Sequence, residues 1–248
     1  MKCKNCKLEF TGDFCNYCGQ KASVKRLDLI YLRDELANSI LQLDRGIFYT
    51  IKQLLTNPGH SIRGFIEGQR TNHFKPIAFL FIAATLYVFS NKILGNTTFI
   101  NQFIEGFEEG GDGLVSSAEE KIFVLLTNYQ VYIILIGMLI FSFASFVAFL
   151  RSGYNLLEHL VLNFYISGIQ FLMYTIFSFI ILDEDSTLVT IPLILGFIYN
   201  LWTYFQFFKD MNIIKRTSLL LLTYLLYMTS LLAIMIIIFL MGKYFFQG

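Results

Sequence analysis

Proline and charge are both scarce in this chain. Three prolines in 248 residues, set against 27 phenylalanines and 14 tyrosines, point away from a turn-rich β protein and toward long apolar helices. Charged residues make up 15%, where an ordinary soluble domain carries about 25%, so a soluble globule is excluded. The opening Met-Lys-Cys-Lys-Asn-Cys lacks the charged-then-apolar run of a cleavable signal, which predicts an N-terminus that stays on the side of synthesis. No Ser-His-Asp set, Walker loop, HExxH or glycine-rich nucleotide motif is present, and neither a fixed-period repeat nor a low-complexity tract is evident.

What the chain does have is apolar length. Hydrophobic residues reach 55%, and the mean hydropathy is +0.58. A helix needs roughly 20 apolar residues to cross about 30 Å of hydrocarbon, at about 1.5 Å per residue. Five segments meet that test: 76–94, 131–150, 160–182, 188–208 and 218–241. The fold class expected is therefore an all-α integral membrane protein with about five transmembrane helices. Its parts are a four-cysteine ribbon over 1–20, an amphipathic helical connector over 21–75 and a transmembrane bundle over 76–248.

Loop charges set the expected orientation, since basic loops stay inside. Residues 1–75 hold twelve of the nineteen lysines and arginines. Loop 95–130 is acidic, Arg151 marks the next, Asp183-Glu184-Asp185 the one after, and Lys209, Lys215 and Arg216 the last. The alternation predicts an N-terminus in the cytoplasm and a C-terminus outside, in a bacterial cytoplasmic (inner) membrane.

Cys3-x-x-Cys6 and Cys15-x-x-Cys18-Gly19 form a double knuckle. Each two-residue gap lets both thiolates of one turn face a single ion, and two turns complete a tetrahedral site. A reducing cytoplasm disfavours disulfides. The expectation is one structural zinc ion, with an iron centre of rubredoxin type as the alternative, and with Phe10 and Phe14 supplying the small apolar core. Four thiolates leave no open coordination position, which favours structure over catalysis. Lys2, Lys4, Lys7, Lys21, Lys25 and Arg26 around the site suit anionic lipid headgroups better than nucleic acid, because the module is tethered to a membrane.

Apolar residues at Leu29, Leu32, Leu36, Ile40, Leu43, Ile47, Ile51 and Leu54 make one helical stripe, ended by Asn57-Pro58-Gly59. It can lie in the interface, dock on its own bundle, or engage a protein partner or second copy through 29–54. Arg63, Arg70, His73 and Lys75 follow, just before the first span. Ordinary positive-inside anchoring accounts for them; the sharper reading is a site for an anion or lipid headgroup. Within the spans, Asn163, Gln170 and Asn200 are candidates for a polar bundle interior. No charge occupies the middle of a span, which argues against a proton relay. Glu158-His159 is the one acid–base pair near the membrane, and interfacial solvation is its plain explanation.

Cys-x-x-Cys with Phe14-Cys-x-x-Cys-Gly-Gln20, then Leu43-Asp-Arg-Gly46, Thr50, Leu54-Leu55, Asn57-Pro-Gly59, Ile62-Arg63, Ile66-Glu-Gly-Gln-Arg70 and His73-Phe-Lys-Pro76 resemble the DUF3667 family. That bacterial family comprises zinc-ribbon-headed multi-pass membrane proteins. The resemblance covers about 1–90, with Gln69 departing where a basic residue is the family's pattern. It implies that head and connector belong together, and it brings no activity, cofactor or catalytic residue. The expected role is a non-enzymatic scaffold or adaptor whose head and connector engage a partner or anionic lipid at the cytoplasmic face. The alternative is a transporter, channel or lipid-handling protein for an anionic small molecule or headgroup.

Overall fold

The computed structural model describes residues 1–24, 26–28, 31, 46–94, 130–181, 188 and 190–246, and of 130, 131 and 238–246 the backbone alone. Among them lie seven α-helices and no strand: α1 (Gly46–Thr56), α2 (Pro58–Glu67), α3 (Pro76–Leu94), α4 (Gln130–Ala148), α5 (Leu156–Ile180), α6 (Thr190–Phe207) and α7 (Ile213–Phe246). The expected stripe positions Leu29, Leu32, Leu36, Ile40 and Leu43, and the acidic stretches in 95–129 and 183–185, lie outside the described residues.

The helix break falls where the sequence puts it. Asn57 separates α1 from α2, and Pro58 takes a first-turn position of α2, where its missing N–H costs nothing. Gly68 ends α2 in the left-handed conformation at φ 117°. Its amide donates to Phe65 O at 3.1 Å and that of Gln69 to Gly64 O at 2.8 Å, so two end carbonyls are satisfied. The described part of the stripe faces inward: Leu54 is buried, and Ile47 and Ile51 pack against the same core.

α5 is the central column, packed by α3, α4 and α6 and touched by α2 and α1. An added Cβ at Gly168 would lie 2.5 Å from the Phe79 ring, so the absent side chain is what brings α3 against α5. Gly196 is similarly filled by Tyr174, whose hydroxyl would sit 2.7 Å from an added Cβ. α7 is peripheral, joined to α4 and, less, to α6. In the apolar 18-residue window of Ile213–Ile237 only 11% is buried, against 56% in that of Leu156–Ile180.

Three helices are long and apolar enough to cross a membrane: Pro76–Leu94, Leu156–Ile180 and Ile213–Ile237. α4 contributes the shorter apolar stretch Tyr132–Ala148. α6 carries Asn200, Gln206, Tyr199 and Tyr204 in 18 residues, which dilutes its hydropathy. The starts of α5 and α7, the ends of α4 and α6 and the cysteine head all meet at one end of the bundle, as the bonds below define.

Candidate functional site

The cysteine head folds as two copies of one turn. Cys3 N donates to Leu8 O at 2.9 Å, and twelve residues later Cys15 N donates to Gln20 O at 2.8 Å. Lys7 N to Cys3 O is matched by Gly19 N to Cys15 O, and the Lys2–Glu9 bridge by Phe14–Lys21. A repeat therefore exists that residue identity hides, because only the paired cysteines are shared in register. The turn needs a left-handed residue: Gly19 supplies it at φ 72°, whereas its counterpart Lys7 adopts φ 66° with a side chain in place.

The four sulfurs lie within 4.8 Å of one another, with Cys3–Cys18 and Cys6–Cys15 both at 3.6 Å. A tetrahedral ion with bonds of about 2.3 Å has sulfur–sulfur edges of about 3.8 Å, so the donor set fits a closed four-thiolate site. All four cysteines are free, and 3.6 Å is far outside disulfide bonding distance. Phe10 packs on the cluster with Ala22, but Phe14 is 58% exposed and contributes no core. The expectation for Phe14 fails because it occupies the bridge-forming edge of the second turn.

The head does not swing free. Gln20 is buried, and its Oε1 accepts from Thr71 Oγ1 at 2.6 Å and from the amides of Thr71 and Arg70 at 3.2 and 3.3 Å. An added Cβ at Gly68 would meet Lys4 Cδ at 2.9 Å and Val24 at 3.1 Å, so the head rests on the α2 C-terminus. Beyond the head, Arg26 Nε and Nη2 each donate to Glu158 at 2.7 Å, and Nη2 also reaches Gly153 O at 2.7 Å. Glu158 holds the Arg26 proton tightly, raising its pKa, chiefly through these hydrogen bonds and then through its charge. Leu27 follows into the core, and Asn155 Nδ2 donates to its carbonyl at 3.1 Å.

This geometry corrects the reading of Glu158-His159 as solvated at the interface. Both are buried. Glu158 closes a capping box with Asn155 at the start of α5 and neutralises Arg26. His159 turns the other way, its Nδ1 2.8 Å from Ser145 Oγ, among Phe146, Phe149 and Phe208. Its Nε2 has no hydrogen-bond partner.

Arg63, Arg70, His73 and Lys75 do not converge on one point. Arg63 Nη1 contacts Asp210 Oδ2 at 2.7 Å and Nη2 donates to Phe207 O. Arg216 Nη1 donates to Phe205 O at 2.5 Å, so two guanidinium groups cap the carbonyl end of α6, where the helix dipole is negative. Arg70 turns back on its own helix, with Nε to Phe65 O at 3.2 Å and its guanidinium over Tyr31 and Phe65. His73 pairs with Ser61 Oγ at 2.9 Å, and burial lowers its pKa. Lys75 begins the first span half-buried.

The interior amides are satisfied between helices. Gln170 Nε2 donates to Gly196 O at 2.8 Å, joining α5 to α6. Tyr224 OH reaches Asn200 Oδ1 at 3.1 Å, joining α7 to α6. Tyr204 OH lies 2.9 Å from Asn163 Oδ1 and 2.8 Å from Ser145 Oγ, and so links three helices with His159. Tyr165 and Tyr199 donate to the carbonyls of Phe74 and Leu54 at 2.6 and 3.1 Å, fastening the connector to the bundle. Sequence reasoning missed these tyrosines and Asp210, and it read Arg26 as one of a basic cluster for lipid headgroups rather than as the partner of Glu158. The signal available was Tyr recurring inside apolar helices, where a hydroxyl demands a partner.

Between head and bundle lies a cleft of about 400 Å³, bounded by Lys4, Arg26, α2, the α4–α5 turn and the end of α6. Burial raises the pKa of Tyr154 in its wall, so that phenol is a neutral donor.

Residues 44–88 match the model of a family described as a protein of unknown function (DUF3667). The matched stretch holds α1, α2 and most of α3, the connector whose motifs carry the resemblance, and it supports that family. No curated protein matches the chain, and no solved structure does.

Proposed function

We propose that this chain is a non-enzymatic membrane scaffold or adaptor: a zinc-stapled cap on the cytoplasmic face of a five-span bundle in the bacterial inner membrane. The observation that carries this reading is the double fastening of the head, by Gln20 to Thr71 and by Arg26 to Glu158. A head held this firmly offers a fixed outer surface, with Tyr17 at 69% and Phe14 at 58% exposure, to a cytosolic partner or an anionic lipid surface. Zinc is the metal this donor chemistry suits best, since soft thiolates at closed tetrahedral spacing favour it.

The five-span count adds α4 and α6 to the three longest apolar helices. Their neighbours reverse direction at the head end, as consecutive passes must. The basic Arg151 and the Lys209–Arg216 stretch share that end with the head, which supports cytoplasmic placement of all three. The polar interior supports a scaffold over a transporter, because Asn163, Gln170 and Asn200 bond to neighbouring helices.

A photo-crosslinker at Tyr17 in living cells tests the reading. One discrete adduct is expected, retained across growth conditions and lost in Cys15→Ser, whose bundle still inserts. Metal analysis of the purified chain is expected to give one zinc per wild-type molecule and none in the variant. Solute flux through the reconstituted protein, with no adduct from the head, would overturn it.

A further inference from the structure

The cleft under the head has an even balance of charge. Lys4, Arg26 and Arg63 face Glu67, Glu158 and Asp210 across it. Two of these pairs are already made, Arg26 with Glu158 and Arg63 with Asp210, each at 2.7 Å. Lys4 and Glu67 remain without a carboxylate or cationic partner among the described residues, and both are exposed. Lys4 has only a long bond, 3.3 Å, to Val24 O. It lies across Gly68, the residue after Glu67, so an unmatched cation and an unmatched carboxylate flank one opening. Arg26 adds a further donor on the Lys4 side: its Nη1 makes no hydrogen bond among the described residues, and its side chain is 60% exposed.

The floor between them is aromatic. Tyr154 lies 4.7 Å from Phe207 and 5.9 Å from Phe208, centroid to centroid, and the two phenylalanines are 4.8 Å apart. Phe207 and Phe208 are buried, and the Arg63 guanidinium already lies over the Phe207 ring at 5.9 Å, so the half-buried Tyr154 is the ring that receives an ammonium group. A net anion gains little from a cleft with as many carboxylates as cations; a ligand bearing both charges gains at each end. One side of the site is apolar. Met211 lines it, and Ile213 and Ile214, at the start of α7, are 58% and 72% exposed.

From this arrangement we infer that the cleft binds the headgroup of a zwitterionic phospholipid, a phosphate ester carrying a primary ammonium. Lys4 Nζ and Arg26 Nη1 hold the phosphate oxygens. Glu67 accepts from the ammonium, which rests against Tyr154. The acyl chains leave past Met211 along Ile213 and Ile214. The inference rests on the reading that the head end of the bundle lies among lipid headgroups.

The test uses the full chain, purified in neutral detergent and examined by native mass spectrometry with phosphatidylethanolamine, phosphatidylglycerol or soluble phosphoethanolamine added. Phosphatidylethanolamine is expected to bind roughly tenfold more tightly than phosphatidylglycerol, the scale of one charge-assisted hydrogen bond. Glu67→Gln should erase that preference, and Lys4→Gln should weaken both lipids by a similar factor. Equal binding of the two lipids, or an unchanged preference in Glu67→Gln, overturns the site. Soluble phosphoethanolamine competing as well as the lipid overturns the lipid source. The same spectra read the metal. One zinc without lipid preference overturns the lipid site alone, whereas lipid preference without zinc overturns the stapled-cap reading alone.

Discussion

The two ends of the polar network are built from different chemistry. At the head end charged fastenings join the neutral one from Gln20 to Thr71: Arg26 on Glu158, Arg63 on Asp210 and the α6 carbonyls, Arg216 on Phe205 O. Deeper in the bundle they are neutral: Gln170 on Gly196 O, Tyr224 on Asn200, Tyr204 on Asn163 and Ser145. Depth explains the division. An ion at the membrane centre costs several kcal/mol, while an amide or hydroxyl needs one partner and finds it on the next helix. In the proposed membrane placement, water and headgroups at the head end lower the cost of an ion, and a paired guanidinium then reaches across long stretches of sequence. Ion pairs are confined to the head end, while neutral bonds serve both ends, Gln20 to Thr71 at the head and the amides and hydroxyls between helices.

Breaking the charged end should cost the most. Arg26→Ala strands Glu158, whose side chain is only 3% exposed, and an unpaired buried carboxylate costs about 3 kcal/mol. Thermal unfolding in detergent should show this loss, and Glu158→Gln in the same chain should recover much of it, as a double-mutant cycle would read. A steric break at the same end comes next. An added Cβ at Gly59 would lie 2.3 Å from Phe207 N, so Gly59→Ala pushes α2 off the end of α6, at about 2 kcal/mol. Increased protease cleavage between α1 and α3 is the expected sign.

The head allows a comparison within itself. Lys7 holds the left-handed conformation that Gly19 holds in the sister turn, and a non-glycine residue there costs about 1 kcal/mol. Lys7→Gly should tighten zinc retention against a chelator by up to roughly fivefold. An unchanged chelation curve would mean that metal binding does not feel that strain. The smallest effect belongs to the neutral interior. Tyr224→Phe removes the bond to Asn200 and should lower stability by about 0.6 kcal/mol. A loss as large as that of Arg26→Ala would erase the distinction between the two ends.

The parts of the molecule read most easily from sequence are those governed by local pattern. The span at 76–94 coincides with α3, Asn57-Pro58-Gly59 breaks the connector, and the four cysteines converge as their spacing requires. What escaped depends on distant partners. Nothing local marks Gln20 as a ligand for Thr71, or Arg26 as the counterion of Glu158, because each pairing exists only once the chain has folded back. Arg63 shows the same limit from the other side. Read beside Arg70 and Lys75 it looks like membrane anchoring, yet its guanidinium closes the end of α6. The head's internal repeat was hidden for a different reason: backbone geometry repeats there while most side chains do not.

The Arg26–Glu158 pair spans 132 residues, and that separation has a consequence in time. A chain made at roughly 10 residues per second leaves its ribosome with the head complete more than about ten seconds before Glu158 exists. The head must wait through the synthesis of α3 and α4 before its second fastening can close. The latch is thus a record of completed manufacture: a truncated chain ending before α5 carries an intact four-cysteine head with nowhere to lock.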